Sequence, residues 1–294
     1  MKSLTADKGF LALPEESFAA YEKARFVIQQ VPYEHTSSYL EGSAKGPAAI
    51  LSASHFVEFY DEEMDCESFR KGGIATMEEM DFGTRVDEAA IQLIDDETSK
   101  LINDGKYVVS LGAEHTVTNG FVRAFKRKYP ELAVLQIDAH SDLRESYHNN
   151  IYSHASVMKR IHDMEVPLVQ IGIRAQCKEE ADLIKSSKLI NTFYAHQIRK
   201  DEHWMAKAIA CLPKDVYLTI DADGFDPSIM PAVGTAEPNG LFWSETLTFL
   251  RKVFEERNVI GFDVLECAPV EGSILSEYTL AKLVYRLIGY QASK

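Results

Sequence analysis

Short apolar runs alternate with stretches in which apolar residues recur every three or four positions, and the alternation continues along nearly the whole chain. The runs Arg25 to Val31, Tyr107 to Leu111, Leu132 to Ile137, Pro167 to Ile173, Val216 to Ile220 and Val259 to Leu265 are short and almost continuously apolar, so they read as buried strands. Phe193-Tyr194 marks a further strand. Between them, Pro47 to Phe56 reads as a helix with Pro47 in its first turn. Ile91, Ile94, Thr98, Leu101 and Ile102 form one helical stripe that stops before Gly105. Helical patterns also cover Phe121 to Phe125, His154 to Ile161, Glu179 to Lys185 and Trp204 to Cys211. Ser244 is placed to cap a helix carrying Leu247, Leu250, Val253 and Phe254, and Leu280, Leu283, Val284, Leu287 and Ile288 make the apolar face of the last helix.

Strand–helix alternation of this kind predicts an α/β fold of three layers, α/β/α, with a central mostly parallel sheet covered by helices on both faces. No internal repeat, low-complexity tract or linker interrupts it, so residues 1–294 are expected to form one domain. Ligands of such sheets gather at the carboxyl ends of the strands. Four of the predicted strands end in acids or histidines. The Leu132 run leads into Asp138-Ala139-His140-Ser141-Asp142, and the Val216 run into Asp221-Ala222-Asp223-Gly224-Phe225-Asp226-Pro227. The Tyr107 run ends in Gly112-Ala113-Glu114-His115, and the Val259 run in Glu266-Cys267-Ala268-Pro269. If the backbone stays extended, Asp138, His140 and Asp142 share one side, as do Asp221 and Asp223.

Such a gathering of carboxylates is costly unless a cation offsets it. His115, Asp138, His140, Asp142, Asp221 and Asp223 are too many ligands for one catalytic zinc ion, which takes three protein ligands. They suit two divalent ions that share carboxylates, and oxygen-rich sites with some imidazole favour Mn²⁺ or a similar ion. Two such ions can activate a water for attack on an electrophile, which predicts metal-assisted hydrolysis.

Charge narrows the partners. A net charge of −14 argues against nucleic acid and suits a small cationic substrate. The four cysteines form no CxxC pair, no strand ends in GxGxxG, and no window is apolar for long enough to span a bilayer. The first residues lack the apolar core of a signal peptide, and a cytoplasmic location is expected.

At these four segments, taken in order, the chain resembles the ureohydrolase family of arginases and agmatinases, and the match runs from about Val31-Pro32-Tyr33 to the C-terminus. The resemblance implies the arginase-like fold and two Mn²⁺ per subunit. One ion would be held by His115, Asp138, Asp142 and Asp221 and the other by Asp138, His140, Asp221 and Asp223, with Asp138 and Asp221 bridging. It further implies that Asp142 orients a metal-bridging hydroxide, that Glu266 receives the substrate guanidinium, that His154 delivers a proton to the departing amine, and that Thr235 lies beside the urea group. Ala113, Ala155 and Ala236 stand where the family commonly has Gly, Gly and Pro, and none of them removes a ligand. Neither Asn149 to Ser153 nor Ala175-Gln176-Cys177 matches the arginase segments that hold the α-amino and α-carboxylate groups of arginine. The expected activity is therefore that of an agmatinase, giving putrescine and urea. The alternatives are another guanidino substrate (guanidinobutyrate, N1-aminopropylagmatine or arginine), a formimino-group hydrolase, or a non-catalytic metal-stabilised scaffold. A homo-oligomer, trimer or hexamer, is implied by the resemblance alone.

Overall fold

The computed structural model describes residues 2–294. Its strands are β1 (Phe26–Val31), β2 (Tyr60–Asp61), β3 (Cys66–Glu67), β4 (Ile74–Thr76), β5 (Tyr107–Gly112), β6 (Ala133–Ile137), β7 (Leu168–Ile173), β8 (Ile190–Tyr194), β9 (Asp215–Asp221) and β10 (Asn258–Leu265). Eight of them form one sheet in the order β4-β1-β5-β10-β9-β6-β7-β8. Every pairing in that sheet is parallel, so the expected mostly parallel sheet is wholly parallel. β2 and β3 make a separate antiparallel hairpin.

Both faces of the sheet are covered, as the apolar runs require. On β5, Tyr107, Val109 and Leu111 join the core beneath the helices Gly46–Ser54, Trp243–Glu256 and Leu275–Ala292, whereas Val108 joins the core beneath Glu88–Asn103 and Thr118–Lys128. The period of two that separates these cores is the strand's own. The helix Glu88–Asn103 buries Ile91, Ile94, Thr98, Leu101 and Ile102 and gives way at Asp104-Gly105, where Gly105 takes φ 77°. Among the described residues, no helix is long and apolar enough to cross a membrane.

Several local expectations shift. β4 and the β2–β3 hairpin carry too few residues to show a period. Ser244 lies inside the helix Trp243–Glu256 and not at its cap; the Glu245 carboxylate accepts from the amide of Phe242 instead, at 2.8 Å. The predicted helix from Pro47 to Phe56 runs from Gly46 to Ser54, and His154–Ser156 forms a 3-10 turn ahead of a helix over Val157–Asp163.

The topology gathers the acidic strand ends. β5, β10, β9 and β6 are consecutive neighbours in the middle of the sheet, and they are the four strands that end in the acid and histidine segments. Far-apart stretches of sequence thus open at one rim.

Candidate metal centre

Asp138 follows the last residue of β6, and its amide still pairs with the carbonyl of Ile171 on β7 (3.1 Å). Beyond it the chain is no longer a simple extended strand. Asp142 has φ 53°, and its carbonyl accepts from the amides of Met158 (2.9 Å) and Lys159 (3.1 Å). Asp142 thus reaches the site through a left-handed turn and not by alternation along a strand, contrary to the period-two expectation. Asp223 likewise sits in a 3-10 turn over Ala222–Gly224, its amide held by the Asp221 carboxylate at 2.9 Å. Gly224 allows this turn to lie against β6: a Cβ there would come within 2.8 Å of the Asp138 nitrogen. The Arg174 guanidinium fastens the same turn by donating to the carbonyls of Asp223 (2.6 Å), Phe225 (3.2 Å) and Glu237 (2.9 Å).

Two groups of ligand-type side chains result, and they share Asp138. His115, Asp138 and Asp142 converge in one, and Asp138, His140 and Asp223 in the other. His115 Nδ1 lies 3.0 Å from Asp138 Oδ2, 3.2 Å from Asp142 Oδ2 and 3.3 Å from Asp221 Oδ2, which brings Asp221 to the first group. His140 Nδ1 is 2.9 Å from Asp223 Oδ2 and 3.7 Å from Asp138 Oδ1. Thr235 Oγ1 donates to Asp223 Oδ2 at 3.3 Å. Glu266, just past β10 with φ 61°, accepts from the amide of His115 at 2.6 Å. His115, His140, Asp142, His154, Asp221, Asp223, Thr235 and Glu266 all line one cavity, together with Ser37, Ser38, Tyr39, Leu40 and Gly234; Asp138 lies fully buried beneath it.

The donor set passes a test of fit for divalent cations. His115 Nδ1 is buried and makes no hydrogen bond, although three carboxylate oxygens surround it. Its other nitrogen meets Thr219 Oγ1 at 2.9 Å. Thr118 donates its hydroxyl hydrogen to Asp263 (2.9 Å), which also accepts from Tyr217 (2.8 Å), so the 3.4 Å contact between Thr118 Oγ1 and Thr219 Oγ1 uses the Thr219 hydrogen; Thr219 therefore receives the Nε2 proton and Nδ1 presents a lone pair. A lone pair aimed among anionic oxygens is the arrangement of ligands around a cation.

The titration behaviour says the same. Burial pushes the Asp142 carboxyl up to about 7, with the charge of Asp138 adding to it. Burial and then the charges of Asp223 and Asp138 hold Asp221 well above the usual carboxylate range. Burial and then the neighbouring Glu114 do so for Glu266. Burial opposes charge on His140, but Asp223 and Asp138 raise it to about 12. Without cations, protons must occupy the cluster. His154 is the exception: burial and the charges of His140 and His115 bring it down to about 4.

Some contributors carry no motif. Ser37 to Leu40 enter the cavity wall from the segment after β1, and Thr36 holds His154, its Oγ1 lying 3.0 Å from the His154 amide and 3.1 Å from Nδ1. Glu114 accepts from the amides of His35 (3.0 Å) and Thr36 (2.7 Å). Asp263 is fully buried and accepts from Thr118 and Tyr217. Asp226 shapes its turn, accepting from the amides of Ser228 and Gly240 at 3.1 Å each. The only sequence signal for Thr36 was its closeness to the Pro32-Tyr33 segment.

Comparison with known proteins places this geometry. Residues 24–289 match the Arginase family. The chain is 42% identical to the N(1)-aminopropylagmatine ureohydrolase of Synechocystis sp., over 95% of this chain and 92% of that protein. It is 33% identical to the agmatinase of Bacillus cereus, over 87% of each. The crystal structure of the agmatine ureohydrolase of Thermoplasma volcanium superposes with a TM-score of 0.80 at 29% identity, covering 97% of this chain and 94% of that one.

Proposed function

The chain belongs to the arginase family and is a metal-dependent ureohydrolase; on that footing we propose that it cleaves a linear guanidinium compound with a cationic far end, N1-aminopropylagmatine first and agmatine second. The observation that carries the reading is the pair of imidazole–carboxylate groups joined at Asp138, opening into the cavity that also holds Glu266 and His154. His115, Asp138, Asp142 and Asp221 would hold one divalent ion, and Asp138, His140, Asp221 and Asp223 the other, with manganese the expected metal. When bound, the ions supply Lewis-acid stabilisation and a water of lowered pKa.

The protein's own groups do the rest. Glu266 is fixed by the His115 amide and offers its carboxylate to a planar guanidinium, a charge-assisted contact. Asp142, rigid in its left-handed turn, orients the attacking water. Thr235, tied to Asp223, borders the position of the urea group. In the balanced reaction, water adds to the guanidinium carbon, the bond from that carbon to the substituted nitrogen breaks, and the amine leaves with a proton. His154 lines the cavity and hands over that proton.

Two observations support the order of substrates. Identity to the aminopropylagmatine enzyme exceeds that to the agmatinase, which puts agmatine, the first expectation from the sequence, in second place. The cavity lining includes no lysine or arginine to meet an α-carboxylate, which disfavours arginine. Urea release by the Mn²⁺-loaded protein, measured against N1-aminopropylagmatine, agmatine, guanidinobutyrate and arginine, tests the reading. The highest kcat/KM is expected for the first, and faster turnover of arginine or guanidinobutyrate than of both agmatine compounds overturns it.

A further inference from the structure

We propose that Thr36 is a positioning residue that sets the ring tautomer of His154, a role that rests on the reading of His154 as the proton donor. The argument counts hydrogens. Glu114 Oε2 accepts from two backbone amides, His35 at 3.0 Å and Thr36 at 2.7 Å, so this oxygen carries no proton of its own. The third contact to Oε2, from Thr36 Oγ1 at 3.1 Å, must therefore use the threonine's only hydroxyl hydrogen. Only lone pairs remain on Oγ1. One receives the amide of His154 at 3.0 Å; the other meets His154 Nδ1 at 3.1 Å, so Nδ1 must bear the hydrogen. Nε2 is left as the nitrogen that takes up a proton and passes it on. The ring also makes a T-shaped contact with Tyr147, 6.2 Å between centroids.

The arrangement is independent of whether Glu114 is charged, because a proton on that carboxyl would sit on Oε1, which has no partner. It joins two segments of different origin. Thr36 continues directly into Ser37 to Leu40 at the cavity wall, and His154 ends the loop that follows Asp142. One hydroxyl thus couples the placement of the cavity wall to the placement of the proton donor.

Two measurements test it. In metal-free protein labelled with ¹⁵N-histidine, two-bond ¹H–¹⁵N correlations report the tautomer of His154, whose signals are identified by their loss in His154→Gln. The Nδ1–H form is expected in the wild type, and a mixture of forms in Thr36→Val. A wild-type ring in the Nε2–H form overturns the proposal whether or not any variant folds. In Mn²⁺-loaded protein, Thr36→Val should lower kcat roughly 10- to 100-fold, part of the roughly 10²- to 10⁴-fold that a positioned acid supplies. KM should stay within about twofold and metal content unchanged, and Thr36→Ser should recover most of the loss. Wild-type kcat in Thr36→Val beside an inactive His154→Gln overturns the role of Thr36. Wild-type kcat in His154→Gln overturns the donor role assigned to His154 instead, and the tautomer measurement still decides what Thr36 does.

Discussion

The floor of the cavity and its mouth are built on different principles. On the floor, Asp138 is 0% exposed, and Asp138, Asp221, Asp223 and Glu266 lie at or just past the ends of central strands with their carboxylates held by backbone amides. At the mouth, Tyr39 is 76% exposed and Leu40 56%, and the loop after Asp142 closes on itself through Tyr147 and Asn150. A reacting centre needs ligands held to a fraction of an ångström, which only packed elements provide. A surface that would read the far end of the proposed flexible substrate needs shape and charge more than rigidity, and loops supply it. On the proposed function, reaction type and substrate preference are set by separate parts of the chain.

The sharpest way to break that division is to change the floor. Asp138→Asn removes the shared carboxylate and should cost on the order of 10³-fold or more in urea release, with loss of bound metal seen by elemental analysis. Retained turnover would mean the floor does not hold the reaction. Next in size is the effect of chelation on melting temperature. Asp142 is raised from 3.8 to about 7, so its protonated form contributes stability that is full below 3.8 and lost as pH rises through about 7. His140, raised from 6.5 to about 12, acts in the same sense as pH rises above 6.5. The metal-free protein should therefore melt lower at pH 8 than at pH 6, and the drop caused by chelation should be larger at pH 8. An equal drop at both pH values would break the link between the cluster's protons and its cations.

Two smaller effects sharpen the contrast. Thr219→Val leaves His115 without the partner that fixes its tautomer and should weaken metal binding by about 10- to 100-fold, measured by competition with a chelating dye. Tyr39→Ala should leave metal content and the turnover number nearly intact. It should shift the ratio of kcat/KM for N1-aminopropylagmatine over agmatine by roughly two- to fivefold, the size of an exposed cation–aromatic contact. A large fall in kcat for both substrates would show that the mouth shares the chemistry.

How much of this was legible in the sequence follows the same division. The strands of the sheet's centre were readable because burial on both faces leaves them continuously apolar, and their acidic ends stood out against that background. The edge strand β4, only Ile74–Thr76, was not, because three residues show no period. The path from Asp138 to Asp142 was not legible. Period-two alternation assumes a strand that in fact stops at Ile137, and a positive φ at an aspartate leaves no mark in composition. Thr36 and Thr219 were missed because a single hydroxyl acquires its role from partners more than a hundred residues away.

By itself, then, the sequence determined the layered parallel fold, the six candidate ligand residues and the class of reaction, because each depends on local periodicity or on residue type. Only the tertiary structure decided that Asp142 arrives through a left-handed turn, which nitrogen of His115 faces the acids, and what holds His154. These depend on distances between segments far apart in the chain, and such distances exist only once the strands lie side by side.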